Sequence, residues 1–180
     1  TQNRSAVEAL QATQATLHQI DTEIKALAAL AENAAAAQDF ETALDNITVT
    51  PGYEQALSVA MGRELRAGLK DDAPIYWQDR NDTVLADLPQ GTVSLYSVVQ
   101  APSALRTALS MVGVVDDKAA GERLLEQLTI GQMIVSRDGY GWRWDGFTVT
   151  PSAQASAQER ETKQLLEQRN RLVELREKRI

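Results

Sequence analysis

A chain of 180 residues, 43% hydrophobic with a formal net charge of −7, holds enough material for one real core with or without appendages. It has no cysteine and one histidine, His18, which excludes a disulfide scaffold, a thiolate metal site and a histidine-built zinc site. No apolar run approaches the ~20 residues of a membrane span and no signal peptide opens the chain, so a reduced, cytoplasmic setting is expected.

The charge is uneven. Residues 1–50 carry 2 basic and 7 acidic groups, residues 51–151 carry 9 and 13, and residues 152–180 carry 7 and 5. That balance argues against strong whole-surface binding to nucleic acid and leaves a mildly basic C-terminal end. Thr1 in place of an initiator Met, and Ile180 inside a helical pattern, read as a piece cut from a longer polypeptide.

The first element is a helix. Leu10, Leu17, Ile24 and Ala31 recur every seven residues, with Ile20 and Leu27 between them. That is a heptad seam, which a partner helix must cover. No Gly or Pro interrupts residues 1–50, and the run Ala34–Ala37 favours helix by propensity. Thr48-Val49-Thr50-Pro51 then reads as a strand end, a Thr cap and a Pro at the first helical position. The following helix, GYEQALSVAMGREL, places Ala56, Leu57, Ala60, Met61 and Leu65 on one face.

Beyond it the elements are short and alternate. AGL (67–69) and PIYW (74–77) are candidate strands around Asp71-Asp72, and NDTVLADLPQG is loop-like. TVSLYSVV (92–99) alternates and is rich in β-branched residues, so a strand is expected there. Pro102 starts a helix to Ala108, VGVV (112–115) is a short apolar run, 119–128 is a helix and QMIVS (132–136) a strand. Asp138-Gly139 and Asp145-Gly146 are hairpin-turn signals that separate strands at 132–136, 142–144 and 147–150. Thr148-Val149-Thr150-Pro151 repeats the earlier punctuation and opens a last helix. There Leu165, Leu172 and Leu175 form one stripe and Leu166, Val173 and Ile180 a second.

The fold class is therefore α+β. A small mixed α/β domain, residues 47–151, is inserted in an antiparallel two-helix coiled coil formed by residues 1–46 and 152–180.

The stretch SRDGYGWRWDGFTVTP (136–151) holds four of the nine aromatics. Trp142 and Trp144 share one strand face, with Arg143 on the other. Three readings stay open: a domain core, an edge that meets another chain, and a platform that stacks on bases. No catalytic constellation is present. Asp71-Asp72 and Asp116-Asp117 are adjacent pairs in turn-like contexts, no Ser-His-Asp set is available, and there is no GxxxxGK[ST] phosphate loop.

Coil, small α/β insert and returning coil is also the layout of the hinge in SMC proteins, the chromosome-organising ATPases. PGYEQALSVAMGRELRAGL resembles the opening helix of that hinge, and APSALRTALSMVGVVDDKAAGERLLEQLTIGQMIVSRDGYGWRWDGFTV resembles its second half. IVSRDGYGWRWDGF is similar to the alphaproteobacterial version, and EQRNRLVEL looks like the start of the descending coil. The likeness spans most of residues 51–175. Two departures stand out: Gly146 is followed by Phe147-Thr148 where many hinges have Gly-Gly, and no helix falls between Leu69 and Val93.

The resemblance implies a homodimerisation module without enzymatic activity of its own, joining two coiled-coil arms for chromosome condensation and segregation. It implies a second copy as partner, with Gly139, Gly141, Trp142, Trp144, Gly146 and Phe147 at the dimer interface. It further implies DNA, a kleisin complex reached through head domains outside this chain, ATP and Mg in those heads, and a nucleoid-associated cytoplasmic location. Arg160, Lys163, Arg169 and Arg171 are candidates for contact with DNA phosphates. The alternative for them is a solvated coil face paired with Glu161 and Glu167. The same layout in a zinc-hook dimeriser needs a Cys-x-x-Cys, which is absent. A ligand-sensing or scaffold domain in a helical hairpin, without a DNA role, is the competing class.

Overall fold

The computed structural model describes residues 2–35, 40–80, 82–151 and 157–178, with side chains at 11–29, 40–80, 82–151, 160, 163–175 and 177. Contacts divide the chain into two units, 1–39 with 168–180, and 40–167.

The first unit consists of α1 (Gln2–Ala35) and the distal part of α5 (Ala157–Lys178). Ile20, Ile24 and Leu27 are half-buried and Leu175 is buried, as an apolar seam requires. Arg171 fastens the two helices, its Nε donating to Glu23 at 3.1 Å and its guanidinium also reaching Glu174 at 3.2 Å on its own helix. Leu17 departs from the expected seam: it is 42% exposed, and residues 11–19 are exposed throughout, so the covered stripe begins at Ile20. The seam positions Leu10, Ala31 and Ile180, and the end of the Ala34–Ala37 run, lie outside the described side chains.

The second unit is wider than the span 47–151 expected for the insert. A 3-10 turn at Ala43–Asn46 precedes it, closed where the Thr42 N–H donates to the Asp45 carboxylate at 2.8 Å. Ala43, Ile47 and Leu166, from both flanks, are buried in the same core. Strand β1 (Thr48–Val49) follows. Pro51 does not open the next helix. The Tyr53 N–H donates to the Thr50 carbonyl at 3.1 Å, so Pro51-Gly52 occupies the centre of a turn and α2 (Glu54–Met61) begins beyond it. Ala56, Leu57, Met61 and Leu65 are buried as their spacing demands.

The region 67–77 forms isolated bridges rather than full strands, Thr42 to Gly68 and Gly68 to Tyr76. Residues 78–80 and 82–91 lie outside helices and strands and are pinned at several points. Asp79 accepts from the Ser103 hydroxyl at 2.7 Å, and the Asp87 carbonyl accepts from the fully buried Gln132 amide at 2.8 Å. The expected strand 92–99 is broken. It supplies β2 (Val93–Ser94), a 3-10 turn over Leu95–Val98 and β3 (Val99–Gln100). Leu95 is fully buried in the core, and the Ser97 hydroxyl donates to the Ser94 carbonyl at 2.6 Å, which closes the turn that puts it there. Core burial of one leucine outweighs the strand propensity of its neighbours.

Helix α3 (Arg106–Ser110), β4 (Val112–Val115), α4 (Lys118–Glu122), β5 (Met133–Ser136), β6 (Gly141–Arg143) and β7 (Thr148–Val149) complete the unit. Asp117 caps α4, its carboxylate accepting from the Ala120 N–H at 2.8 Å. β1 pairs with β3, and the main sheet runs β2-β4-β5-β6-β7. Among the described residues of the main sheet only the β4–β5 pair is parallel, and α4 lies in the crossover between them. All four residues of β4 and of β5 are buried because helices cover both faces. Val112, Val114, Met133 and Val135 join Ala56, Leu57 and Met61 of α2. Val115, Ile134 and Trp142 face the other way, against Ala120, Leu124 and Leu128.

Candidate self-association surface

The two Asp-Gly pairs build one kind of turn twice. The Ser136 N–H donates to the Tyr140 carbonyl at 2.8 Å and the Gly139 N–H to the Ser136 carbonyl at 3.1 Å. Seven residues on, the Arg143 N–H donates to the Phe147 carbonyl at 2.8 Å and the Gly146 N–H to the Arg143 carbonyl at 3.0 Å. Each is a three-residue hairpin loop ending on a glycine at positive φ, +99° for Gly139 and +89° for Gly146. The loops fix which rings go inward.

Register sets Trp142 opposite Ile134 and Gly141 opposite Val135. Trp142 is 6% exposed and stacks on Tyr140, centroids 5.8 Å apart, while its six-membered ring lies against Gly121 of α4. A side chain at Gly121 would occupy the indole's own space. Gly141 is also internal: a Cβ there would meet Met133 Cε and Val59 Cγ1, both at 2.8 Å. In the free chain, then, Trp142 and Gly141 are core residues. Gly139 lies beside Gln55 and Pro151, at 3.1 Å and 3.4 Å from where a Cβ would stand.

The rest of the hairpin is outside. Trp144, just beyond β6, is 45% exposed and Phe147 is 53% exposed, and nothing lies within 4 Å of a Cβ built on Gly146. Arg143 sits over the Phe147 ring at 4.8 Å and grips Asp145 with two hydrogen bonds, 2.9 and 2.8 Å. That grip holds the Asp145 carboxyl below the usual carboxylate range and raises the Arg143 guanidinium. Arg143, Phe147 and Val149 border a groove of about 270 Å³ whose opposite wall is Val59, Arg63 and Glu64.

Strand β7 is one of the two outer strands of the sheet, next to β6 alone. Antiparallel pairs alternate between bonded and non-bonded positions. Arg143 and Phe147 are a bonded pair, so Trp142–Thr148 is non-bonded and the Thr148 N–H and C=O point away from β6. The outer side of β7 therefore presents an open backbone position at Thr148, next in sequence to the exposed Phe147, with Trp144 exposed in the loop that precedes the strand. Neither Thr148 nor the groove residue Val59 was among the expected interface residues; strand alternation counted from the Asp145-Gly146 turn is the signal for Thr148. Arg137 was also missed. Its Nε donates to the Gly52 carbonyl at 3.2 Å, and its guanidinium covers Tyr53 at 4.8 Å and meets Asp116 at 3.7 Å. It ties the first hairpin loop to the turn before α2.

Two of the four candidate basic residues of α5 hold carboxylate partners. Lys163 pairs with Glu167 at 3.7 Å, and Arg171 with Glu23 and Glu174. Arg160 is exposed and Arg169 is half-buried; Glu161 lies outside the described side chains. Asp71 and Asp72 lie exposed in a turn. Among the described residues there is no cluster of three or more His, Cys, Asp or Glu that could hold a metal, and no helix long and apolar enough to cross a membrane.

No family model matches the chain. It is 39% identical over 133 residues to the chromosome partition protein Smc of Rhodopseudomonas palustris, and 40% identical over 137 residues to that of Cereibacter sphaeroides. These matches cover 73% and 74% of the chain but 11% of each relative's length. Among solved structures, the fold is similar to an asymmetric dimer of the Geobacillus stearothermophilus SMC hinge domain, with a TM-score of 0.56 at 18% identity, over 97% of this chain and 93% of that one. It is also similar to the Pyrococcus furiosus Smc hinge domain with an extended coiled coil, with a TM-score of 0.53 at 15% identity, over 97% and 82%. Identity of about 40% over nearly three quarters of the chain, together with an α+β fold similar to solved SMC hinge domains, makes the chain an SMC hinge domain.

Proposed function

We propose that the chain joins two copies of a chromosome-partition protein through the outer margin of its main sheet. The observation that carries this is the open Thr148 backbone on β7, with Phe147 next to it in the chain and Trp144 in the adjoining loop, each about half exposed. An unpaired strand edge is a template for another chain, and exposed aromatics next to an arginine are the residues that dominate interface energies. Burying such rings contributes ~25 cal/mol per Å² of apolar area before ordering costs. That a related hinge is described as an asymmetric dimer supports the same reading. Trp142 and Gly141 serve it indirectly, by holding β6 in place.

In the whole protein the join would link two arms whose heads bind ATP and Mg, act on DNA and engage a kleisin complex. The relatives' name, chromosome partition protein, supports that setting. Direct DNA contact through Arg160, Lys163, Arg169 and Arg171 has less behind it, since Lys163 and Arg171 already hold carboxylate partners.

Sedimentation of the full chain over a concentration series tests the reading. The wild type is expected to self-associate at micromolar concentration, and the double variant Trp144→Ala, Phe147→Ala to sediment as a folded monomer. A monomeric wild type favours the ligand-sensing alternative. A double variant that associates as well as the wild type places self-association elsewhere, such as the terminal helices.

A further inference from the structure

The two Asp-Gly pairs carry a chemistry beyond turn formation. In an Asp-Gly sequence the glycine nitrogen can attack the preceding side-chain carboxyl, because glycine offers no side chain to hinder the approach. The new bond joins the Gly nitrogen to Asp Cγ. The Cγ–OH bond breaks, and the hydroxyl leaves as water with the amide proton. Water then reopens the succinimide ring. When the bond from nitrogen to the original backbone carbonyl breaks, the chain runs through Cβ and Cγ as isoaspartate. One water is released and one consumed, with no change in mass or redox state.

At Asp145-Gly146 both reacting groups are held by one residue. The Arg143 guanidinium binds both carboxylate oxygens, at 2.9 and 2.8 Å. The Arg143 carbonyl accepts the Gly146 N–H, the attacking nitrogen, at 3.0 Å. The Phe147 N–H adds a third tie to the carboxylate at 3.3 Å. The site is also open to water: the Asp145 side chain is 35% exposed, and nothing lies within 4 Å of where a Cβ on Gly146 would stand. At Asp138-Gly139 the geometry repeats with a weaker clasp. The Ser136 carbonyl accepts the Gly139 N–H at 3.1 Å, but the carboxylate is held by the neutral Ser136 hydroxyl.

We propose that Asp145-Gly146 is a latent isoaspartate modification site, and that Arg143 protects it by holding the carboxylate and the attacking nitrogen at once. The ionised carboxylate that Arg143 favours is also the less reactive form, since loss of water needs the neutral acid. Conversion would insert one more backbone atom into a three-residue loop and displace β7 from its register with β6.

The test is an ageing experiment on the full chain at mildly acidic pH and physiological temperature. Isoaspartate is counted at each site by isoaspartyl-methyltransferase labelling and peptide mapping. In Arg143→Gln, isoaspartate at Asp145 is expected to accumulate about threefold to fivefold faster than in the wild type, the scale on which an exposed ion pair shifts an open–closed balance. Accumulation at Asp138 is expected to stay unchanged. No acceleration at Asp145, or equal acceleration at both sites, would overturn the proposal. A second measurement needs no variant: the excised peptide 141–149 should isomerise at Asp145 faster than the folded wild type, and equal rates would count against protection.

Discussion

Two tryptophans separated by one residue have opposite fates, and their substitutions should separate accordingly. Trp142 fills space against Gly121 and Tyr140. Trp142→Ala is expected to cost about 3–5 kcal/mol of stability, read by urea denaturation, because it opens a cavity between sheet and helix. Trp144→Ala removes a half-exposed ring beyond the strand end and should leave the urea midpoint of the folded monomer within error. Asp145 adds a dependence on acid. Its carboxyl is lowered in the folded state by the hydrogen bonds from Arg143, so the stability it contributes is present above the unfolded value, ~3.9, and is lost as pH falls through the folded one. Asp145→Asn should therefore lower stability slightly at neutral pH, where the Arg143 pairing is present, and flatten the acid limb, so that variant and wild type converge below about pH 4. Residue identities here were legible: the rings, Arg143 and both turn glycines stand out in the chain. Their direction was not. Alternation places Trp142 on a face, but only the crossover helix carrying Gly121 makes that face an interior.

Among the elements, the turns were the most readable and the strand at 92–99 the least. Asp-Gly needs a positive φ at the glycine, and both loops adopt it. TVSLYSVV alternates as a strand should, yet it folds as strand, 3-10 turn and strand, since Leu95 reaches a core built by residues distant in sequence. Pro51 was misplaced for a similar reason: with Gly52 after it, a turn competes with a helix start and wins. Helix α4 supplies the sharpest test at this scale. Gly121 gives it the close approach that Trp142 requires, so Gly121→Val should push the helix from the sheet and destabilise the domain by about 1–3 kcal/mol. Near-ultraviolet circular dichroism should show the indole environment altered with secondary structure retained. An unchanged near-ultraviolet spectrum would mean that the helix does not pack on Trp142.

At the scale of the molecule, a helical unit and an α/β unit follow from two periodicities that any reader of the chain can find, seven at the ends and two in the middle. The width of the α/β unit was harder to see, because Ala43 and Leu166 look like coil residues until the core they enter is known. The open edge was hidden for another reason: an unpaired N–H is a property of where a sheet stops, and no residue type marks it. That edge is where a second copy is proposed to join, and amide hydrogen exchange at Thr148 reads it directly. Exchange is compared in the full chain at concentrations below and above self-association. Joining through the sheet margin should slow exchange at Thr148 and across 143–149 as concentration rises, with α1 and α5 unaffected. Protection that grows only in α1 and α5, with Thr148 exchanging at the same rate throughout, would contradict it.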